Sequence, residues 1–402
     1  MSSSTVNHDL TPPAVLMTVQ RRTMPIAGVA ILLSMLGAVL WIEVFFRAFL
    51  VGFLFWIGIT LGCMALLMLQ HLTGGDWGFV MRRVMESAMN TMPLMAALFV
   101  VILAGMKLLY PWVSTLANDP IVQAKSAYLN VPFFIIRAVI YFGVWLLIAA
   151  LLSRWSRRQD ETFDPREQVK MQNLSGAGVL IYGLTWTFAS VDWAMSTDPH
   201  WFSTIYGIML LGGHAVSAMG FMIAMAVLLL PYSPFAELFK PKHLHDLGKL
   251  LLAFIMLWAY FNFSQLLIVW SGNLPEEIPW YIARFHGWWA YVSVALLLFH
   301  FMFPFVLLLS RDIKRHARTI GRIAAFILVV RLVDVIWLIV PGMHTKGHEP
   351  PPISAVLYVL VPLAIGGVWM TIFLRNLRRR PLLVPNDVRF AEVVLGKEEH
   401  AH

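Results

Sequence analysis

The residues best placed to do chemistry in this chain are charged or titratable groups lying inside apolar stretches. Arg331 and Asp334 stand three residues apart in one such run, a spacing that brings two side chains together on one face of a helix. A lone charge at the centre of a membrane helix costs about 2.5–3.5 kcal/mol on insertion scales, so each of the two needs the other. Three readings are open for the pair: an ion pair locking helices together, a switchable site on a proton path, or a substrate contact. His214 lies in the middle of another run, Leu211–Ser217, whose Gly212, Gly213 and Ser217 let a neighbouring helix approach closely. It reads as a satisfied core histidine, or as a proton-relay or quinone-facing group, because imidazole exchanges protons near neutral pH. A third reading is a haem ligand, with His300 the one partner at similar depth.

Asp192 belongs to a dense polar cluster, Ser190–Phe202, with Asp198, His200, Trp193 and Trp201. It reads as an interfacial cap and loop staple, or as part of a charged site. Arg137 is its candidate countercharge, although an arginine there can equally snorkel outward. Glu43 and Glu86 read as boundary residues, with Glu43 a secondary candidate for a proton path. The 22 methionines suit packing better than metal ligation. The single cysteine, Cys63, excludes a disulfide within the chain, a four-cysteine cluster site and a haem c attachment. Neither a phosphate-cradling loop, nor a His-Glu-x-x-His zinc motif, nor a serine-hydrolase elbow is present, which removes ATP hydrolysis, metalloprotease and serine-hydrolase chemistry.

Only membrane helices can position such residues. The chain of 402 residues is 59% hydrophobic and 13% charged, where soluble proteins carry roughly 25% charged residues. That excludes a soluble enzyme, a disordered regulator and a free nucleic-acid binder. Ten stretches reach the roughly 20 apolar residues that a span needs: 24–42, 48–71, 88–110, 131–153, 174–195, 204–230, 248–271, 285–309, 320–341 and 353–374. They lack the period-2 alternation of barrel strands. Residues 1–23 read as a retained polar tail, 24–374 as the membrane domain and 375–402 as a second tail. Of the 30 Lys and Arg, 23 fall on one side of this topology and 5 on the other. By the positive-inside rule both tails are then cytoplasmic, and the net charge of +8 suits anionic lipid headgroups rather than nucleic acid. On the other side Trp112, Trp193, Trp201, Trp270, Trp280, Trp288 and Trp289 suggest an aromatic girdle. The proline run ending at Pro352 cannot be helical throughout.

Four stretches resemble the polysulfide-reductase-like (NrfD-like) membrane family, and in particular the smaller of its two subunits in bacterial alternative complex III, a quinol:electron-acceptor oxidoreductase. They are Phe53–Gly58 with Gln70–Gly78, Val191–Thr204, Phe263–Trp280, and Asp334–Pro341 followed by His344. The connector Ser-Gly-Asn-Leu-Pro-Glu-Glu within the third is the most specific. The resemblance implies ten helices: two four-helix bundles, spans 2–5 and 6–9, flanked by spans 1 and 10. It implies a bacterial inner-membrane subunit with no bound redox centre, working beside a larger NrfD-like subunit, an iron–sulfur subunit and multihaem cytochrome c subunits, with a terminal oxidase as a further candidate partner. Quinol or menaquinol would react nearby, with haem c and iron–sulfur clusters on the partners. Under this reading the chain supports quinol oxidation and supplies part of a transmembrane proton route, through Asp192, His214, Arg331 and Asp334, with Arg137 and Glu43 secondary. Two competing readings are a proton-inert structural anchor and a secondary transporter. The transporter would need discontinuous helices in both halves of a repeat, and Gly212–Gly213 has no counterpart half a chain away.

Overall fold

The computed structural model describes residues 10–343, 351–384 and 386–387. Among them there is no strand, and ten helical segments are long and apolar enough to cross a membrane. Helices close every backbone hydrogen bond within one segment, which hydrocarbon demands. We number them span 1 (Val15–Leu40), span 2 (Ile42–Thr73), span 3 (Asp76–Ala104), span 4 (Val131–Glu161) and span 5 (Pro165–Thr197). They continue with span 6 (Tyr206–Leu229), span 7 (Pro241–Gly272), span 8 (Trp288–Leu309), span 9 (Ala317–Gly342) and span 10 (Pro352–Leu377).

Spans 2 and 6 form the centre and are the most enclosed. Span 2 packs against spans 3, 5, 6 and 10, and span 6 against spans 2, 5, 7 and 9. Span 8 closes the ring between 7 and 9, while span 1 lies outermost against span 10. Small residues set the close approaches. A Cβ on Gly62 would lie 2.4 Å from the His214 carbonyl oxygen, so span 2 meets span 6 almost backbone to backbone at the level of His214.

Several boundaries differ from the sequence expectation. Span 1 begins at Val15, not at residue 24, and carries the exposed Arg21 and Arg22 on its early turns; a helix can run past the hydrocarbon into the interface. Span 3 starts at Asp76 and breaks at Asn90–Thr91, because Pro93 has no N–H for the Met89 carbonyl. Thr91 Oγ1 there donates to the Ala88 carbonyl at 2.7 Å. The aromatic girdle is mostly absent: Trp112, Trp193, Trp201 and Trp280 are buried in protein, whereas Trp270 and Trp288 face outward. The first and last described segments meet on the basic side, where Leu382 N–H donates to the Leu10 carbonyl at 2.9 Å and Arg378 Nη1 to Gln20 Oε1 at 2.6 Å. The expected C-terminal tail is therefore partly packed. His344 lies outside the described residues.

Candidate functional site

Three buried polar clusters sit at different depths. The deepest joins spans 6, 7, 8 and 9. Arg331 Nη1 donates to Asp334 Oδ2, as the i, i+3 spacing predicts, and Trp258 Nε1 of span 7 donates to the same oxygen at 2.9 Å. Both charged residues are buried. Asp334 Oδ1 and Arg331 Nε have no hydrogen-bond partner within the described chain. His300 Nδ1 lies 3.8 Å from Asp334 Oδ2, too far for a hydrogen bond, and neither of its ring nitrogens is partnered. The His300 ring packs on Trp258, centroids 4.0 Å apart. It sits where span 8 widens into a π-helical turn, Leu297–Met302, an irregularity common at functional sites.

The guanidinium of Arg331 lies over Gly213. A Cβ there would stand 1.9 Å from Nη2, so the glycine makes room for the charge one residue from His214. The His214 ring is held from span 5: Nδ1 is 3.0 Å from the Tyr182 hydroxyl, and the Trp186 ring centroid is 4.0 Å away. His214 and Arg331 thus meet at the junction of spans 2, 5, 6 and 9. The interior face of span 5 continues this row in both directions. Ser175, which pairs with His71 at 3.0 Å, lies about 10 Å along the helix from Tyr182, and Asp192 about 15 Å the other way, at 1.5 Å per residue.

The second cluster surrounds Asp192, which is fully buried. Arg137 grips it with both ends of the guanidinium, Nε to Oδ2 and Nη2 to Oδ1, each at 2.8 Å. Tyr141 donates to Oδ2 at 2.9 Å, and Arg137 Nη1 also donates to the Tyr128 carbonyl at 3.0 Å. Of the two readings of Arg137, the structure takes the countercharge and not the snorkel. The Asp192 carboxylate faces inward, and through Arg137 and the Tyr128 carbonyl the pair also holds the connector before span 4. Burial and the nearby Asp192 push the Tyr128 hydroxyl well up from its ordinary value. Glu43 stands apart from both clusters. It is exposed, 3.7 Å from Arg47, at the start of span 2.

Two further features were missed at the sequence level. Glu86 is no boundary residue, and Arg82 and Arg83 are not loop charges. All three are buried in a network with Asp160, Arg380 and Asp387. Arg82 donates to Glu86 at 2.9 Å and to Asp387 at 2.9 Å, Arg83 to Glu86 at 2.6 Å and also to Asp160, and Arg380 to Glu86 at 2.9 Å and to Asp160. Three arginines thus meet three acids, and the last acid comes from the C-terminal segment. On the opposite side Arg284, read as a loop residue, is buried beneath Trp280, 3.5 Å from its ring centroid. It donates to the carbonyls of Trp337 (3.1 Å), Trp280 (2.8 Å) and Leu338 (2.8 Å), closing the end of span 9. Burial pushes its pKa down to about 9, so it stays protonated at neutral pH. The signal available for these groups was the charge itself, in segments that sequence alone assigns to loops.

Among the described residues no group of three or more His, Cys, Asp or Glu could hold a metal ion. Cys63 is buried and unpaired. The chain matches no protein-family model and no curated protein sequence.

Proposed function

We propose that this chain is a membrane subunit of a bacterial quinol:electron-acceptor oxidoreductase of the alternative complex III kind, and that it supplies part of a transmembrane proton route. One observation carries the proton reading. Titratable groups from several spans converge at mid-depth around Arg331 and His214, and Asp334 and His300 keep polar atoms unpartnered there. A purely structural pair gains from satisfying every such atom, because each buried unpaired group costs free energy; the Arg137 guanidinium and the Asp192 carboxylate do so, and that pair reads as an anchor. In the relay, His214 and Asp334 exchange protons, Arg331 supplies the countercharge, and Tyr182 and Ser175 on span 5 extend the path from His214.

The finer architecture belongs to the same reading. Spans 2–5 and 6–9 are two four-helix bundles flanked by spans 1 and 10, and the basic side with both termini faces the cytoplasm, as the distribution of Lys and Arg supports. Electron transfer would run through iron–sulfur and multihaem cytochrome c partners, with a larger NrfD-like subunit alongside. The resemblance of the Phe263–Trp280 connector and its three companion stretches supports this assembly. Purifying the tagged chain from native membranes in mild detergent tests it. The reading expects c-type haem absorbance and an iron–sulfur signal to co-purify in constant ratio. A chain that purifies alone, without either signal, from membranes that hold intact respiratory complexes would refute it.

A further inference from the structure

On the side opposite the basic face, a polar cavity of about 470 Å³ opens where span 2 begins, a size within the range of small-molecule sites. Span 2 lines it with Glu43 and Arg47 from its first two turns. The connector after span 3 adds Lys107 and Ser114, and the loop after span 5 adds Asp198 and His200. None of the groups assigned to the proton relay lines it.

Arg47 is the group in this wall that calls for a ligand. It is only 9% exposed, its ion pair with Glu43 is 3.7 Å long, and it makes no hydrogen bond among the described residues. Its guanidinium thus keeps five N–H donors in a fixed fork. The same wall holds Lys107, which is exposed and makes no ion pair among the described residues. His200, by contrast, is held by Asp119 at 3.3 Å. Two cations with spare donors, one of them a planar fork, fit a phosphate group. A bare phosphate would also meet Glu43, whose side chain is 51% exposed, and Asp198 in the same space. Two cations and two acids in one cavity match a ligand that carries both signs, a phosphate with an ammonium a few bonds away.

The surroundings place that ligand at the membrane interface. Leu108, in the cavity wall, is 39% exposed, and Ile42, next to Glu43, is 46% exposed. Apolar side chains left open beside a charged cavity mark the level where headgroups meet acyl chains. We infer that this cavity binds a phosphoethanolamine-type group, its phosphate on Arg47 and Lys107 and its ammonium on Glu43, with Asp198 adding negative charge nearby. The inference goes beyond the proposed function and rests on neither the proton route nor the redox assembly. The shared chemistry admits two sources, a phospholipid of the leaflet opposite the basic side or a soluble phosphoethanolamine ester.

The test is native mass spectrometry of the delipidated full-length chain in detergent, titrated with dioleoyl phosphatidylethanolamine, phosphatidylcholine and phosphatidylglycerol. The ethanolamine lipid is expected to fill one saturable site. The choline lipid has no ammonium N–H and the glycerol lipid no cation. Each is expected to bind about fivefold more weakly, the factor that one partly exposed ion pair carries. Lys107→Gln is expected to weaken all three lipids by a similar factor, because all three carry the phosphate. Glu43→Gln is expected to erase the preference for ethanolamine while leaving the phosphate contacts in place. Both substitutions fall on exposed side chains, and continued protection of Cys63 from a thiol-reactive dye checks the fold. Displacement of the bound lipid by an equal concentration of glycerophosphoethanolamine supports the soluble source, and its failure to displace supports the lipid. Equal affinity for the three lipids, binding unchanged by Lys107→Gln, or an ethanolamine preference that survives Glu43→Gln would overturn the inference.

Discussion

Removing one charge from the Arg137–Asp192 pair is predicted to hurt far more than removing both. Asp192 accepts two guanidinium hydrogen bonds at 2.8 Å and one from Tyr141 at 2.9 Å. Asp192→Asn keeps the shape but turns an amide N–H toward a donor, leaving a buried cation with no countercharge and only a neutral amide oxygen and the Tyr128 carbonyl as acceptors. Arg137→Gln leaves the carboxylate with no countercharge, held by Tyr141 and at most a neutral amide. One-sided loss of a buried pair costs about 3–5 kcal/mol, and we take about 3 kcal/mol for each of these shape-preserving changes. The double variant carries two neutral amides that can bond each other, at about 2 kcal/mol in total. The coupling is then about 4 kcal/mol, within the range of roughly 1.5–7 found for close charge pairs at buried contacts. Cys63 supplies the assay. It is the sole cysteine and is buried, so its reaction with a thiol-reactive dye during a thermal ramp reports unfolding. At soluble-protein unfolding entropies, 402 residues give at least about 1 °C per kcal/mol. Each single variant should fall by at least about 3 °C and the double by about 2 °C. A double variant that falls by the sum of the singles would refute the coupling.

Other outcomes follow from the same physics. Arg284→Lys loses the planar fork that reaches three carbonyls and stacks on Trp280, and should cost about 2–3 kcal/mol in the Cys63 assay. Asp387→Asn leaves three arginines facing two acids at the basic end and should cost about 3 kcal/mol; adding Arg380→Gln restores the balance and should recover part of that loss. Cysteines introduced at the exposed Arg315 and Glu276, in a Cys63→Ala background, should react with impermeant maleimide from opposite membrane faces, and labelling of both from one face would refute the topology.

The spans and the Arg331–Asp334 contact were legible because both rest on local rules: about 20 apolar residues to cross a bilayer, and i, i+3 neighbours on a helix face. The Arg137 to Asp192 contact was legible as a candidate, since two opposite charges in apolar runs of adjacent spans leave each other few alternatives. Arg82, Arg83 and Glu86 were misread, because charges near a span end look the same in sequence whether they meet water or a folded-back segment such as Arg380–Asp387. The tryptophans failed for a related reason. Trp193 and Trp280 sit at interface depth in the sequence, but they are enclosed by Tyr141 and Trp201, from distant segments. Tyr182, the partner of His214, carried no charge to flag it.

Proton movement by the Arg331→Gln, Asp334→Asn double variant tests the central claim most directly. Removing both charges avoids the stranded cation of a single change, so the variant is expected to assemble. Quinol oxidation is measured in uncoupled membranes and proton translocation in sealed vesicles of the same preparation. The relay reading predicts retained oxidation with translocation lost. Full translocation by the assembled double variant would contradict it.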